Sequence, residues 1–89
     1  MSKVFYPEKF IMVPASSPHP PNTEYKVSVG KETWDGSDHQ VIKVQMVYNN
    51  KVSGRRSPSY PVGSCDFQKV LRAASKIMDE IDNFKIRTV

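Results

Sequence analysis

Between Thr23 and Trp34 the chain alternates. Tyr25, Val27 and Val29 fall on one side of an extended backbone and Lys26 and Ser28 on the other, the period of two that marks a half-buried strand. A second run, Gln40–Tyr48, places Ile42, Val44, Met46 and Tyr48 on one face and Lys43 and Gln45 on the other, with Val41 and Val47 diluting the pattern. Lys9–Val13 is a shorter apolar strand closed by Pro14. From Ser64 the period changes. Phe67, Val70, Leu71, Ala74, Ile77, Met78 and Ile81 recur every three or four residues, which predicts one amphipathic helix over 64–82. Ser64 is its expected N-cap, and Asp66 lies in the first turn, where the helix dipole favours an anion. Lys69, Arg72 and Lys76 form a basic row on its far side, and Asp79, Glu80 and Asp82 oppose the dipole at its end, so fraying is expected near Asn83.

The connections follow from turn chemistry. Pro14–Asn22, with Pro14, Pro18, Pro20 and Pro21, cannot donate to a ladder and reads as an extended surface connector rather than a ligand for a proline-binding domain. Asp35-Gly36 is a strong turn signal, and Gly30 suggests a bulge or bend. At Asn49–Lys51 two registers compete. A two-residue loop would set Tyr48 against Lys51 and Val44 against Arg55, polar groups across from the apolar face. A three-residue loop sets Tyr48 against Val52 and Gln45 against Arg55, which keeps Arg55 beside Lys43 and is the register expected. Ser59–Val62 would be a short fourth strand, held to an edge by Pro58 and Pro61.

The expected fold is therefore α+β, an antiparallel sheet of three to four strands with one C-terminal helix packed on one face. It forms a single domain over 1–89: a strand and proline-rich connector to residue 23, the sheet over 24–62, the helix over 64–82, and a tail over 83–89 that would be a last strand or a dimer arm. Eighty-nine residues bury a smaller share of their surface than a large domain does, so the core is thin and a deep catalytic cleft is not expected. The single cysteine, Cys65, rules out an intrachain disulfide. No apolar run approaches the length of a membrane span or a signal-peptide core, and a cytoplasmic protein is the default expectation.

Charge changes the picture once it is localised. The net charge is +4. Residues 39–63 hold Lys43, Lys51, Arg55 and Arg56 with no acid, and so carry a charge equal to that of the whole protein. Such asymmetry points to a polyanionic partner or to a solvated basic hairpin. Catalytic constellations are lacking: the two histidines sit in no triad or metal motif. Glu32, Asp35, Asp38 and His39 cluster as hairpin-turn residues commonly do. Cys65 has no candidate base in its motif, and the glycines form no phosphate loop. No enzyme, metal or cofactor is expected.

The order of elements closing in "GRRSPSYPVGSCDFQKVLRAASKI" resembles the positive-cofactor-four family of single-stranded-DNA-binding transcription coactivators. Gly54, Arg55 and Arg56 match that family's glycine–basic step, Ser59 and Tyr60 its short strand, and Phe67 the aromatic near the start of its capped helix. The likeness spans roughly residues 24–82; Pro58 and Pro61 depart from it. It implies a four-stranded sheet with one helix, dimerisation through the helix, and strands that bind melted DNA. A second likeness, to the three-stranded-sheet-plus-helix DNA-binding domains of integrases and plant ethylene-response factors, implies a sheet laid in a duplex groove.

A single strand needs cations along its backbone path and rings for its bases. The expected function is accordingly non-enzymatic nucleic-acid binding, preferably of single strands, in transcription regulation. Lys26, Lys43, Lys51, Arg55 and Arg56 would contact phosphates, and Tyr60 or Trp34 would stack; Tyr48 points inward by parity. The alternative is a protein-interaction module, for instance a small phage-type regulator, that docks on an acidic protein surface. A catalytic use of the acidic turn ranks below both.

Overall fold

The computed structural model describes residues 4–82. Four antiparallel strands run in sequence order, β1 (Phe5–Pro14), β2 (Thr23–Trp34), β3 (Ser37–Tyr48) and β4 (Lys51–Val52), followed by a single helix, α1 (Asp66–Asp82). The α+β arrangement with a C-terminal helix on one face of the sheet is as the periodicities imply. The tail from Asn83, read as a strand or dimer arm, lies outside the described residues.

Both tight hairpins use left-handed two-residue turns. Asp35 and Gly36 have φ of 51° and 83°, and Asn49 and Asn50 have 51° and 67°, the pattern whose twist matches that of the flanking strands. The second turn corrects the expected register. Tyr48 pairs with Lys51 and Val47 with Val52, so Arg55 does not lie across from Gln45. Of the polar-on-apolar pairings that argued against this register, Tyr48 with Lys51 is made, but Val44 with Arg55 is not, because the ladder stops at Val52. Ser53 N–H still donates to Met46 C=O at 2.9 Å; beyond it the chain leaves the sheet. Ser59–Val62 forms no strand, consistent with the prolines on either side of Ser59-Tyr60.

β1 is longer than the apolar run suggested. It starts at Phe5, and its register against β2 shifts between Pro7 and Lys9, so the irregularity signalled at Gly30 falls on the opposite strand. Gly30 pairs with Pro7, and a Cβ at Gly30 would lie 2.2 Å from the Tyr6 carbonyl oxygen. The glycine is needed for this close backbone approach.

The core lies between the sheet and α1. Val13, Tyr25, Val27, Val29 and Met46 meet Val70, Ala73 and Ile77 of the helix. The helix packs against β1 and β2, which splits its apolar stripe. Val70, Ala73 and Ile77 are buried, but Phe67 and Leu71 are each 50% exposed and Met78 is also exposed. At 100° per residue the exposed three lie roughly a quarter turn round from the buried set. The opposite flank carries Glu80, whose carboxylate meets Lys9 Nζ of β1 at 3.0 Å. Phe67, Leu71 and Met78 therefore lie on the flank turned away from β1, with Phe67 against Tyr60; on β3, Ile42 is 41% exposed.

The helix also begins one step later than expected. Lys69 N–H donates to Cys65 C=O at 3.0 Å, making Cys65 the capping residue. The Ser64 hydroxyl still accepts from Asp66 N–H at 3.2 Å and donates to Pro61 C=O at 2.7 Å. Asp66 itself is buried. It accepts from the amide and hydroxyl of Ser16, at 2.9 and 2.6 Å, and from Tyr25 OH at 2.8 Å. Burial alone would raise its pKa, but these donors outweigh burial and hold the carboxyl below its ordinary value. Burial, with the neighbouring Asp66 carboxylate, pushes the Tyr25 hydroxyl well above its ordinary value. The proline-rich connector is thus fastened to the start of the helix.

Candidate interaction surface

The pleat assigns the cations to different faces. On β2 and β3, Lys26 and Lys43 pair with Gln45 and Ser28 on the face away from α1, as parity predicts. Lys51 pairs with Tyr48, whose ring packs against the core, so Lys51 belongs to the helix side. The Arg56 guanidinium lies 5.7 Å from the centre of the Tyr48 ring, on that same side, and Arg55 is in the exposed segment beyond β4. The five cations do not share one plane. The three-residue turn that would have gathered them is absent, and that corrects the expected phosphate path.

The expected stacking rings are also in use. Tyr60 stacks on Tyr25 at a centroid distance of 5.1 Å and meets Phe67 edge-on at 5.1 Å. It is part of the core at the helix N-terminus, and burial raises its pKa. Trp34 lies at the hairpin end, stacked on His39 at 4.7 Å, with its indole N–H donating to Glu32 at 2.8 Å.

The uncovered sheet face carries charges of both signs rather than a basic field. Lys26 Nζ is 4.6 Å from the Phe10 ring centre and Lys43 Nζ is 5.0 Å from that of Phe5; Lys43 also pairs with the buried Glu32. Glu24 and Glu32 share this face with the two lysines by register. Between Lys26 and Glu32 sits Ser28, fully buried, its hydroxyl without a partner among the described residues. Phe10 is 55% exposed. Phe5 and Phe10 were not singled out from sequence, because the start of β1 hides its alternation behind Pro7 and the bulge.

The two sheet edges differ sharply. The outer edge of β1 is interrupted: it contains Pro7 and Pro14 and a register shift, devices that discourage further strand pairing. β3 runs from Ser37 to Tyr48 in unbroken register with β2 and contains neither proline nor glycine. Met46 C=O points outward, to Ser53, while Asn49 N–H, at the opposite parity, points inward, to Asn22 C=O at 2.9 Å. Even-numbered residues of β3 therefore direct their backbone groups outward. Because β4 ends at Val52, the N–H and C=O of Asp38, Gln40, Ile42 and Val44 have no strand partner among the described residues. Nothing in the residue pattern signalled this edge. It follows from the early end of β4, which the three-residue register would have extended.

Among the described residues, no group of three or more His, Cys, Asp and Glu side chains is placed to hold a metal ion. In the turn cluster, Asp38 accepts from the Thr33 hydroxyl at 2.7 Å and Glu32 from Trp34. Cys65 is exposed and unpaired. No described helix is long and apolar enough to cross a membrane. Comparison with protein-family models, with curated proteins and with solved structures returns no match.

Proposed function

We propose that the protein is a non-enzymatic protein-interaction module that takes up an extended segment of a partner along the outer edge of β3. The observation that carries this reading is the contrast between a defended β1 edge and an undefended β3 edge in one small sheet. Strand addition satisfies a row of backbone donors and acceptors, and side-chain pockets on alternate positions then select the sequence. Exposed Ile42 on one side and partly buried Val41 on the other flank that row, so a partner strand with β-branched residues at alternate positions is favoured.

A second reading, single-stranded nucleic acid on the uncovered face, draws on the Lys26–Phe10 and Lys43–Phe5 pairs, which combine a ring with a cation. It retains Lys26 and Lys43 from the sequence-derived set and adds Phe5 and Phe10 to it. The opposed charges of Glu24 and Glu32 place it second.

Panning an extended-peptide library against the full chain separates the two. Selected peptides are expected to slow amide exchange at Gln40, Ile42 and Val44. Peptides that protect other amides refute the edge reading. So does an oligonucleotide bound at low salt whose affinity falls steeply with added salt and weakens in Lys26→Ala and Lys43→Ala.

A further inference from the structure

We infer that a second copy of this chain occupies the β3 edge, joining two sheets into one through antiparallel β3–β3 pairing about Ile42. This rests on the strand-addition reading above and names its partner. Two features favour a copy over an unrelated strand. The first is self-complementarity. Even-numbered residues present the outward backbone groups, so a twofold axis at Ile42 sets Ile42 against its counterpart and Val44 against Gln40, all on the helix side. On the other face Val41 meets Lys43 and His39 meets Gln45. The charged side chains of this stretch, Asp38 and Lys43, never meet a like charge, which would oppose pairing. The apolar side chain that the monomer leaves most open on β3 gains an apolar partner.

The second feature is the position of the remaining apolar exposure. Leu71 and Met78 lie along the flank of α1 turned away from β1, and Phe67 on the same flank rests against Tyr60. With the axis perpendicular to the joined sheet, both helices fall on one side of it. Their apolar flanks then face each other across the seam, over Ile42 and Val44 of both copies. A lone peptide strand would leave those flanks in water. The seam differs from dimerisation through the helix, the arrangement implied by the family likeness, because here the strand edge makes the contact and the helices only line it.

Sedimentation equilibrium of the full chain tests the inference. The expected mass at high concentration is twice 10.1 kDa, falling to the monomer value on dilution, as mass action requires. Ile42→Lys places a charge on the edge and is expected to leave a monomer with an unchanged far-UV circular dichroism spectrum. Val62→Lys, at a fully exposed turn, is expected to remain dimeric. Should Ile42→Lys fail to fold, the unmodified protein decides. Amide exchange at Gln40, Ile42 and Val44 is expected to slow at least about tenfold between dilute and concentrated samples, whereas exchange in β1 stays constant. A monomer at every concentration overturns the inference, as does a dimer whose mass is unaffected by Ile42→Lys or whose protected amides lie elsewhere. A monomer that still binds selected peptides through the β3 amides overturns the self-pairing alone and leaves the strand-addition reading intact.

Discussion

Replacing Asp66 by Asn isolates the worth of a buried negative charge at the joint between connector and helix. In the native protein one carboxylate oxygen accepts from Ser16 N–H and Tyr25 OH, and the other from Ser16 OH, all within 2.6–2.9 Å. An asparagine can place its single carbonyl oxygen toward the first two donors, and its amide can donate to the Ser16 hydroxyl, which rotates to accept. All three contacts survive as neutral ones. The loss is therefore the difference between charged and neutral hydrogen bonds, roughly a factor of two in strength, plus a helix-dipole contribution of about 0.3–1 kcal/mol. Together these amount to about 2 kcal/mol, on a folding free energy on the order of 5–10 kcal/mol for a chain of this size. Asp66→Ala also strands the Ser16 amide, and about 4 kcal/mol is expected.

Urea unfolding at neutral pH, followed by far-UV circular dichroism, measures both variants, with Tyr25→Phe completing a double-mutant cycle. The pH dependence supplies an independent check. Because the folded-state pKa of Asp66 lies below its unfolded value, the stabilisation is fully present above about pH 4 and drains away as pH falls through the depressed folded value. The gap between the native protein and Asp66→Asn should close over that interval. An Asn variant within about 0.5 kcal/mol of the native protein at neutral pH, or a gap that acid does not narrow, would refute the reasoning.

Three further outcomes follow from the geometry. Gly30→Ala drives a Cβ to 2.2 Å from the Tyr6 carbonyl, and because the obstacle is backbone rather than a pliable side chain, about 3 kcal/mol or more should be lost in thermal or urea melts. Ser28→Ala removes a fully buried hydroxyl that has no partner among the described residues, so stability should be unchanged or rise by about 1 kcal/mol, and a loss would locate a bond the hydroxyl makes. Asn50→Val puts a β-branched residue at a φ of 67° and should cost about 1–2 kcal/mol, while Asn50→Gly should be near neutral; nuclear magnetic resonance of the hairpin amides shows whether the turn persists.

The strands and the helix were legible because each keeps one period for long enough. Tyr25, Val27 and Val29, and then Val70 and Ile77, sit where alternation and the 3.6-residue period put them. What failed was register, and with it the site. One residue of loop length decides whether Arg55 lies beside Lys43 or leaves the sheet altogether. The two candidate pairings differ by a side-chain penalty that shrinks to the Tyr48–Lys51 pair once β4 stops after Val52. The helix stripe was read as uniformly covered, whereas a helix lying over β1 and β2 leaves its third row, Phe67, Leu71 and Met78, beyond the reach of the sheet. The Ser16–Asp66 contact joins residues fifty positions apart, and local pattern carries no information at that distance.

That contact also bears on the order in which the molecule can assemble. The β2–β3–β4 ribbon closes through two short turns and needs only neighbouring residues to form. β1 and α1 sit at opposite ends of the chain and touch the same two anchors, Ser16–Asp66 at one end of the helix and Lys9–Glu80 near the other. Neither can dock fully while the other is away. The amphipathic half of the domain should therefore appear and disappear as one cooperative unit, so that loosening the connector would release the first strand and the terminal helix together and bare the apolar face of the central hairpin.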